Sequence, residues 1–311
     1  MRLSGMFFGK KSLGVEIGPG GVVFALLGGS PAAPALEQLV VHPLASGIVQ
    51  GGLRNPNITD PQAFSDCLRQ ARDQLLHSGA NLSVTLPDTV GRVMLMNVEE
   101  RFKSRSEGED IIRWKLKKSM PLDAGDTHLD YQNLGVQENN DMALLVTLVS
   151  RSVIGQYEEV LATAGLVPTH IDLNLFNIYR VFERRLALLE EYALISLYKE
   201  SLSIMIMGER GFPEFLRVKD LSGVSAGDSR VYREISNSLF AYREGRVPRE
   251  VACVAAPEAA PVFCEMVSEA TSKKALLLET RDAVKPLPDA PADQPTLFPA
   301  TAAIGAALRN L

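Results

Sequence analysis

Residues 13–26 read LGVEIGPGGVVFAL. An acidic residue, Glu16, interrupts an apolar run, and Gly18, Pro19, Gly20 and Gly21 follow before the apolar run resumes. A carboxylate on a strand followed by a turn of small residues can hold a phosphate. Backbone N–H groups of such a turn face phosphate oxygens, and the carboxylate organises Mg²⁺ through water. Pro19 works against this reading, because it removes one N–H donor. The bland alternative is a hairpin turn with no ligand. Other reactive side chains form no recognisable set. His42, His77, His128 and His170 are scattered, with no nucleophile–base arrangement of the kind a hydrolase needs. Asp123, Asp126 and Asp130 precede a strand, but their spacing is not that of a calcium-binding loop. Cys67, Cys253 and Cys264 are odd in number and lack a C-x-x-C pair. That argues against a disulfide framework or a zinc site and fits a reducing compartment.

The elements that would carry the turn can be read from spacing. VEI and VVFALL flank it, Gly28-Gly29 makes a second turn and LEQLVV alternates, which predicts a meander opening a mixed sheet. Thr59-Asp60-Pro61 starts a helix that Gly79 closes, and residues 81–86 form a strand. Between 93 and 149 the texture changes to strand, helix over 109–121, strand, strand, compact enough for a small inserted unit. Residues 150–164 carry one apolar helical stripe closed by Gly165. Then strand–turn–strand returns over 192–207, a degenerate echo of the opening meander. Helices follow over 228–242 and 261–270, with a short strand at 251–255 between them. Residues 285–299 contain five prolines and are expected to be loop. The last helix, 300–308, is made of small residues and is expected to lie against protein rather than lipid.

At 311 residues, with 46% hydrophobic and 22% charged, the chain is sized for two lobes. A net charge of −5 argues against generic nucleic-acid binding, which draws on an excess of Lys and Arg. No apolar run reaches the roughly 18 residues of a bilayer span. The start, MRLSGMFFGKK, reads as a short mobile arm rather than a signal peptide.

Two meander-led α/β halves with a small insert in the first resemble the actin-like ATPase architecture. The insert sharpens this. Leu86-Pro87-Asp88, Ile112-Arg113-Trp114 with Pro121, Leu129–Gln132, and Ala164–Leu166 with Asp172 resemble hallmarks of the PilM family of type IV pilus assembly proteins. The similarity is strongest over residues 80–180, and both ends of the chain also resemble the family's. The resemblance implies an α/β, duplicated ribonuclease H-like, two-lobed actin-like fold. The first lobe would span 1–175, with an α+β insert at about 90–150, and the second 176–311. It implies a cytoplasmic protein peripheral to the inner membrane, docked to the cytoplasmic N-terminal tail of a PilN-like bitopic protein and part of the pilus motor subcomplex. Self-association stays open.

The family also implies ATP with Mg²⁺ in the cleft between lobes, and here the residues depart from its pattern. Glu16 stands where the family has Asp, and Val23 where it has a lysine. The second turn reads Ser196-Leu197-Tyr198-Lys199-Glu200 where Asp-Ile-Gly is usual, and Ala255-Ala256-Pro257 replaces a Gly pair at the adenosine. The expectation is therefore a non-catalytic scaffold of a type IV pilus or a related type II secretion-like apparatus, with no metal and a vestigial phosphate turn at Glu16, Gly18, Gly20 and Gly21. An active ATP-binding switch of the same fold is the alternative. Candidate contributors to a tail-binding groove are Leu86, Val93, Met94, Met96, Trp114 and Leu116, each with core packing as its other explanation. The cations around Trp114 (Arg113, Lys115, Lys117 and Lys118) suit a solvated helix face.

Overall fold

Alternating apolar residues and Gly turns build the opening meander as read. In this computed structural model, which describes residues 10–99, 101–117, 126–137, 140–242 and 247–311, β1 (Ser12–Gly18), β2 (Gly21–Ser30) and β3 (Ala33–Pro43) run antiparallel. Gly21 turns the first hairpin at a φ of 142°, where a side chain would strike the His42 carbonyl. The next helix, α1 (Pro61–Arg72), starts with Pro at its first position, and the Asp60 side chain accepts from the Ala63 N–H. It leads into β4 (Asn81–Leu86), parallel to β1.

The insert follows: β5 (Gly91–Val98), α2 (Arg105–Leu116), β6 (Thr127–Val136) and β7 (Met142–Ser150), with its own sheet ordered β5-β7-β6. Val98, Ile112, Leu116, Leu129 and Leu144 fill its separate core. Helix α2 starts four residues before the sequence reading placed it. Ser104 caps it by accepting from the Glu107 N–H, a stronger start signal than the hydrophobic spacing that begins later. Lys118 and Pro121 lie outside the described residues, as do the N-terminal residues 1–9 and Asp123.

The chain returns through α3 (Arg151–Thr163) to β8 (Val167–Leu173), which pairs with β4 and ends the first sheet, then enters α4 (Asn174–Leu186). The second sheet repeats the plan. Strands β9 (Tyr192–Tyr198), β10 (Ser201–Met207) and β11 (Pro213–Asp220) form a meander, α5 (Ser229–Ala241) crosses over, and β12 (Glu250–Val254) lies parallel to β9. Helix α6 (Ala260–Thr271) then leads to the short strand β13 (Leu276–Leu277). The order β11-β10-β9-β12-β13 matches β3-β2-β1-β4-β8 strand for strand, so the echo seen in the sequence is a structural duplication.

The C-terminal segment departs from the expected lobe division. Two residues of the proline-rich stretch form β14 (Lys285–Pro286), which extends the first sheet beside β3. Asp293 caps a short helix, α7 (Gln294–Leu297), in the same stretch. The last helix, α8 (Thr301–Leu308), is buried against β1, β2, β4 and α4 of the first lobe. Small residues on both sides allow this. A side-chain carbon at Gly14 would come within 2.2 Å of the Ala303 carbonyl, and one at Gly305 within 2.0 Å of the Asn177 carbonyl. Residues 285–286 and 301–308 thus belong to the first lobe. The first core runs on into Leu194, Tyr198, Met205 and Val254, one face of the second sheet. The opposite face, with Ile195 and Cys253, packs under α5 and α6.

Candidate functional site

The duplicated meanders bring their two turns together. Glu16 sits near the end of β1 with its carboxylate buried, and Lys199 and Glu200 form the tight turn joining β9 to β10. Lys199 holds a left-handed φ of 52°, a conformation Gly adopts at no cost. That backbone aims its ammonium back across the cleft. Lys199 Nζ donates to Glu16 Oε1 at 2.5 Å, and the Tyr198 hydroxyl is 2.8 Å from Glu16 Oε2. Asn174 Nδ2 donates to the same carboxylate at 3.2 Å, while its Oδ1 accepts from Thr85. The single Tyr198 proton is shared, since the Pro299 carbonyl is also 2.8 Å away. Burial and the Glu16 charge push the Tyr198 hydroxyl well above its ordinary pKa, so it stays a donor. Its ring packs on Phe298, 5.4 Å between centroids, and fills the space behind the turn.

A cavity of about 300 Å³ remains between the turns, bordered by Gly18, Gly20, His42, Lys199 and Ser222. Side-chain carbons at Gly18 or Gly20 would meet nothing, so this turn is open as the sequence suggested. The Ser222 hydroxyl lies 2.6 Å from Asp220 Oδ1 and 3.2 Å from Glu200 Oε2, so the two carboxylates share its one proton. Residues 255–257 do not border the cavity.

Asp88 is a second buried carboxylate, which the sequence reading met only as part of Leu-Pro-Asp. Its Oδ1 accepts from the Leu175 N–H at 2.9 Å and so caps the first turn of α4 from another element. Burial raises its pKa to about 7, opposed by the Leu175 hydrogen bond and aided by repulsion from Glu16. A buried acid beside a helix start is the signal that the Leu-Pro-Asp segment carried.

A groove lies between the insert and the first lobe. One part, about 260 Å³, is bordered by Leu86, Val149, Ile154, Ile171 and His170. It continues through Asp130, Thr147 and Asp172 into a second part of about 430 Å³ beside Phe176, Arg180 and Met207. Strand β8 is the edge of the first sheet and forms one wall. Asp172 on that wall is held by Arg309 at 2.6 Å and Arg180 at 3.7 Å. Burial and the Arg309 charge hold the His170 imidazole below its usual pKa.

The six residues expected to line a single groove are dispersed. Leu86 borders it from the core of β4, where it is 1% exposed. Met96 borders a different cleft, about 820 Å³, between the insert and the second lobe. Val93 packs against the first core and Met94 against the insert core, while Leu116 is buried inside the insert. Trp114 is 61% exposed and borders neither cleft. Thr147, Ile154 and Asp172 line the groove but were not among the six; their strand and helix phases point there only once the insert is seated over β8. Among the described residues, no cluster of three His, Cys, Asp or Glu could hold a metal. Nor is any helix among them long and apolar enough to cross a membrane.

Comparison with known proteins places this geometry. The sequence matches the family described as "Type IV pilus assembly protein PilM" over residues 14–198. No curated protein matches it. Among solved structures, a PilM-PilN type IV pilus biogenesis complex is similar at a TM-score of 0.82 and 20% identity, covering 96% of this chain and 98% of that one. A Bacteroides thetaiotaomicron protein with an actin-like ATPase fold aligns at a TM-score of 0.50 and 10% identity, over 91% of this chain and 96% of that one. The cytoplasmic domain of EpsL, an inner-membrane component of the Vibrio cholerae type II secretion system, aligns at 0.49 and 12%, over 78% and 82%. The two-lobed architecture is that of the actin-like ATPase fold.

Proposed function

The chain belongs to the PilM family of type IV pilus assembly proteins, and we propose from this that it is an assembly scaffold. It works on the cytoplasmic side of the inner membrane and holds the short N-terminal tail of a PilN-like single-span protein. The reading rests on the groove between β8 and the insert. An extended tail laid along β8 gains backbone hydrogen bonds from the strand's outer edge. Apolar side chains of the tail drop toward Val149, Ile154 and Ile171. Glu158 borders the same groove and favours a basic residue on the tail, while Asp130 and Asp172 there are already paired with Arg105 and with Arg309 and Arg180. The fold likeness to a structure described as a PilM-PilN complex supports a PilN-like partner. Through that tail the protein would join the larger pilus motor subcomplex.

The test is a calorimetric titration with a synthetic peptide of the N-terminal tail of a PilN-like protein encoded nearby. Thr147, part-buried on β7, faces both parts of the groove. Thr147→Arg fills it and is expected to weaken binding by about tenfold or more, equivalent to 1.4 kcal/mol. An affinity unchanged by this substitution sinks the assignment.

The cleft between the turns works, in this proposal, without nucleotide. A Mg²⁺–phosphate group needs the Glu16 carboxylate, and Lys199, Tyr198 and Asn174 already share it. The open turn at Gly18 and Gly20 favours the opposite reading, a nucleotide switch in the same fold. Calorimetry with ATP and Mg²⁺ separates them. Micromolar binding abolished by Glu16→Ala supports the switch, and absence of heat supports the scaffold.

A further inference from the structure

The second lobe carries a pair of thiols that neither the groove nor the cleft uses. Cys253 lies on β12 and Cys264 on α6, and their sulfurs are 2.9 Å apart. Both elements belong to the second core. Cys253 is completely buried, paired in register with Ile195 on one side and Leu277 on the other, while Cys264 is partly exposed. The bonded distance between cysteine sulfurs is about 2.05 Å, so closure needs roughly 0.9 Å of approach. Helix α6 supplies that freedom, since it covers the sheet from outside while β12 is fixed between two strands. Cys67 sits on α1 in the other lobe and has no part in the pair.

We propose that Cys253 and Cys264 are a reversible modification site that closes to an intramolecular disulfide on meeting a small disulfide oxidant such as oxidised glutathione. The exposures set the order of events. The Cys264 thiolate attacks one glutathione sulfur, forms a mixed disulfide and releases one glutathione thiol. Cys253 gives up its proton and its thiolate attacks the Cys264 sulfur, which expels the second glutathione thiol. The protein loses two protons and two electrons, and the oxidant gains them. Burial holds the Cys253 thiol above its ordinary pKa, so the partly exposed Cys264 is the thiol that meets the oxidant first. The bridge clips α6 to β12 across the segment 254–263. It lies on the face of the second sheet away from the first core, so the groove is left as it is.

Trypsin makes the test direct, because no Lys or Arg lies between Glu250 and Ser272 and both cysteines fall in the peptide 250–273. The native full-length chain is treated with oxidised glutathione, quenched with an alkylating reagent, digested and weighed. The expected peptide is lighter by about 2 Da than the reduced form and takes no alkyl group, and dithiothreitol restores both labelling sites. Titratable thiols fall from the three in the sequence to one, Cys67. In Cys253→Ala the glutathione adduct stays on Cys264, and in Cys264→Ser the native chain takes no adduct on Cys253. A persistent adduct on Cys264 in the unaltered protein overturns the proposal, because it means that the two thiols do not meet. So does a peptide that emerges with two alkyl groups, or a bridge that involves Cys67 or a second chain.

Discussion

Replacing Lys199 by Met tests whether an ion pair holds the two turns together. The substitution keeps the stem of the side chain and removes the charge. Glu16, 1% exposed, is left with the Asn174 amide at 3.2 Å and a Tyr198 proton that the Pro299 carbonyl also claims. Removing one partner of a fully buried pair costs about 3–5 kcal/mol, whereas a surface pair is worth about 0–1 kcal/mol. The Lys199 side chain is 41% exposed, so water can partly replace the ammonium and the cost falls between these limits. About 2 kcal/mol is expected. Urea unfolding of the unaltered chain, Lys199→Met, Glu16→Gln and the double variant completes a cycle, with a coupling of about 2 kcal/mol expected. Lys199→Gly gives an internal control. It loses the same charge but relieves the left-handed backbone, so it is expected to be about 1 kcal/mol more stable than the Met variant. A loss under about 0.5 kcal/mol with no coupling in the cycle refutes the argument and reduces the contact to a surface ion pair.

Asp88 carries a pH dependence of definite sign. Its pKa is 3.8 ordinarily and about 7 in the fold, so between those values the folded state keeps a proton that the unfolded chain releases. Stability therefore falls as pH rises from about 4 to 7, by on the order of 4 kcal/mol for this group. Asp88→Asn is expected to flatten that slope in pH-dependent urea unfolding while retaining an acceptor for Leu175, and an unchanged slope contradicts the assignment. Gly305→Ala drives a methyl into the Asn177 backbone carbonyl, which cannot rotate away, and is expected to cost about 3 kcal/mol in the same assay. A neutral result there means that α8 does not rest on α4.

The meanders, the insert and the two crossover helices were legible because each is written locally. Turn glycines, alternation and caps specify them within a dozen residues. The return of the C-terminal segment to the first lobe was not. A two-residue parallel pairing, Lys285 with Ala35 and Pro286 with Leu36, leaves no periodic trace, and prolines are the usual mark of a loop. The small residues of α8 did carry a message, since Gly305 and Gly14 face backbone at both of its contacts. Strand phase separates the candidate groove residues. Met94, Met96 and Val98 share one face of β5, and Val98 is fully buried, so that face belongs to the insert core. At the cleft, the Tyr198 ring packs on Phe298 behind the turn. The carboxylate–ammonium contact could not be read, because it joins positions 183 residues apart.

The groove and the cleft meet at one corner of the chain. Asp172 lines the groove at the end of β8, and Asn174, two residues later, binds Glu16 and Thr85 in the cleft. Helix α4 starts there, with Asp88 on its Leu175 N–H, and sends Arg180 back to the groove to meet Asp172. The cleft network therefore orients a wall of the groove that it does not touch. Asn174→Ala removes two hydrogen bonds, each worth about 0.5–1.5 kcal/mol. If part of that cost is felt by the Asp172 wall, tail-peptide affinity drops about threefold to tenfold, with the groove side chains intact. Thr85→Val, which cuts the same chain of bonds one residue earlier, is expected to give a smaller loss in the same direction. Titrating both variants with the peptide at a temperature where each is fully folded separates orientation from unfolding. Equal affinity in all three proteins would mean that the cleft network serves only to join the lobes, and that β8 is held in place by its pairing with β4 and by the ion pairs of Asp172.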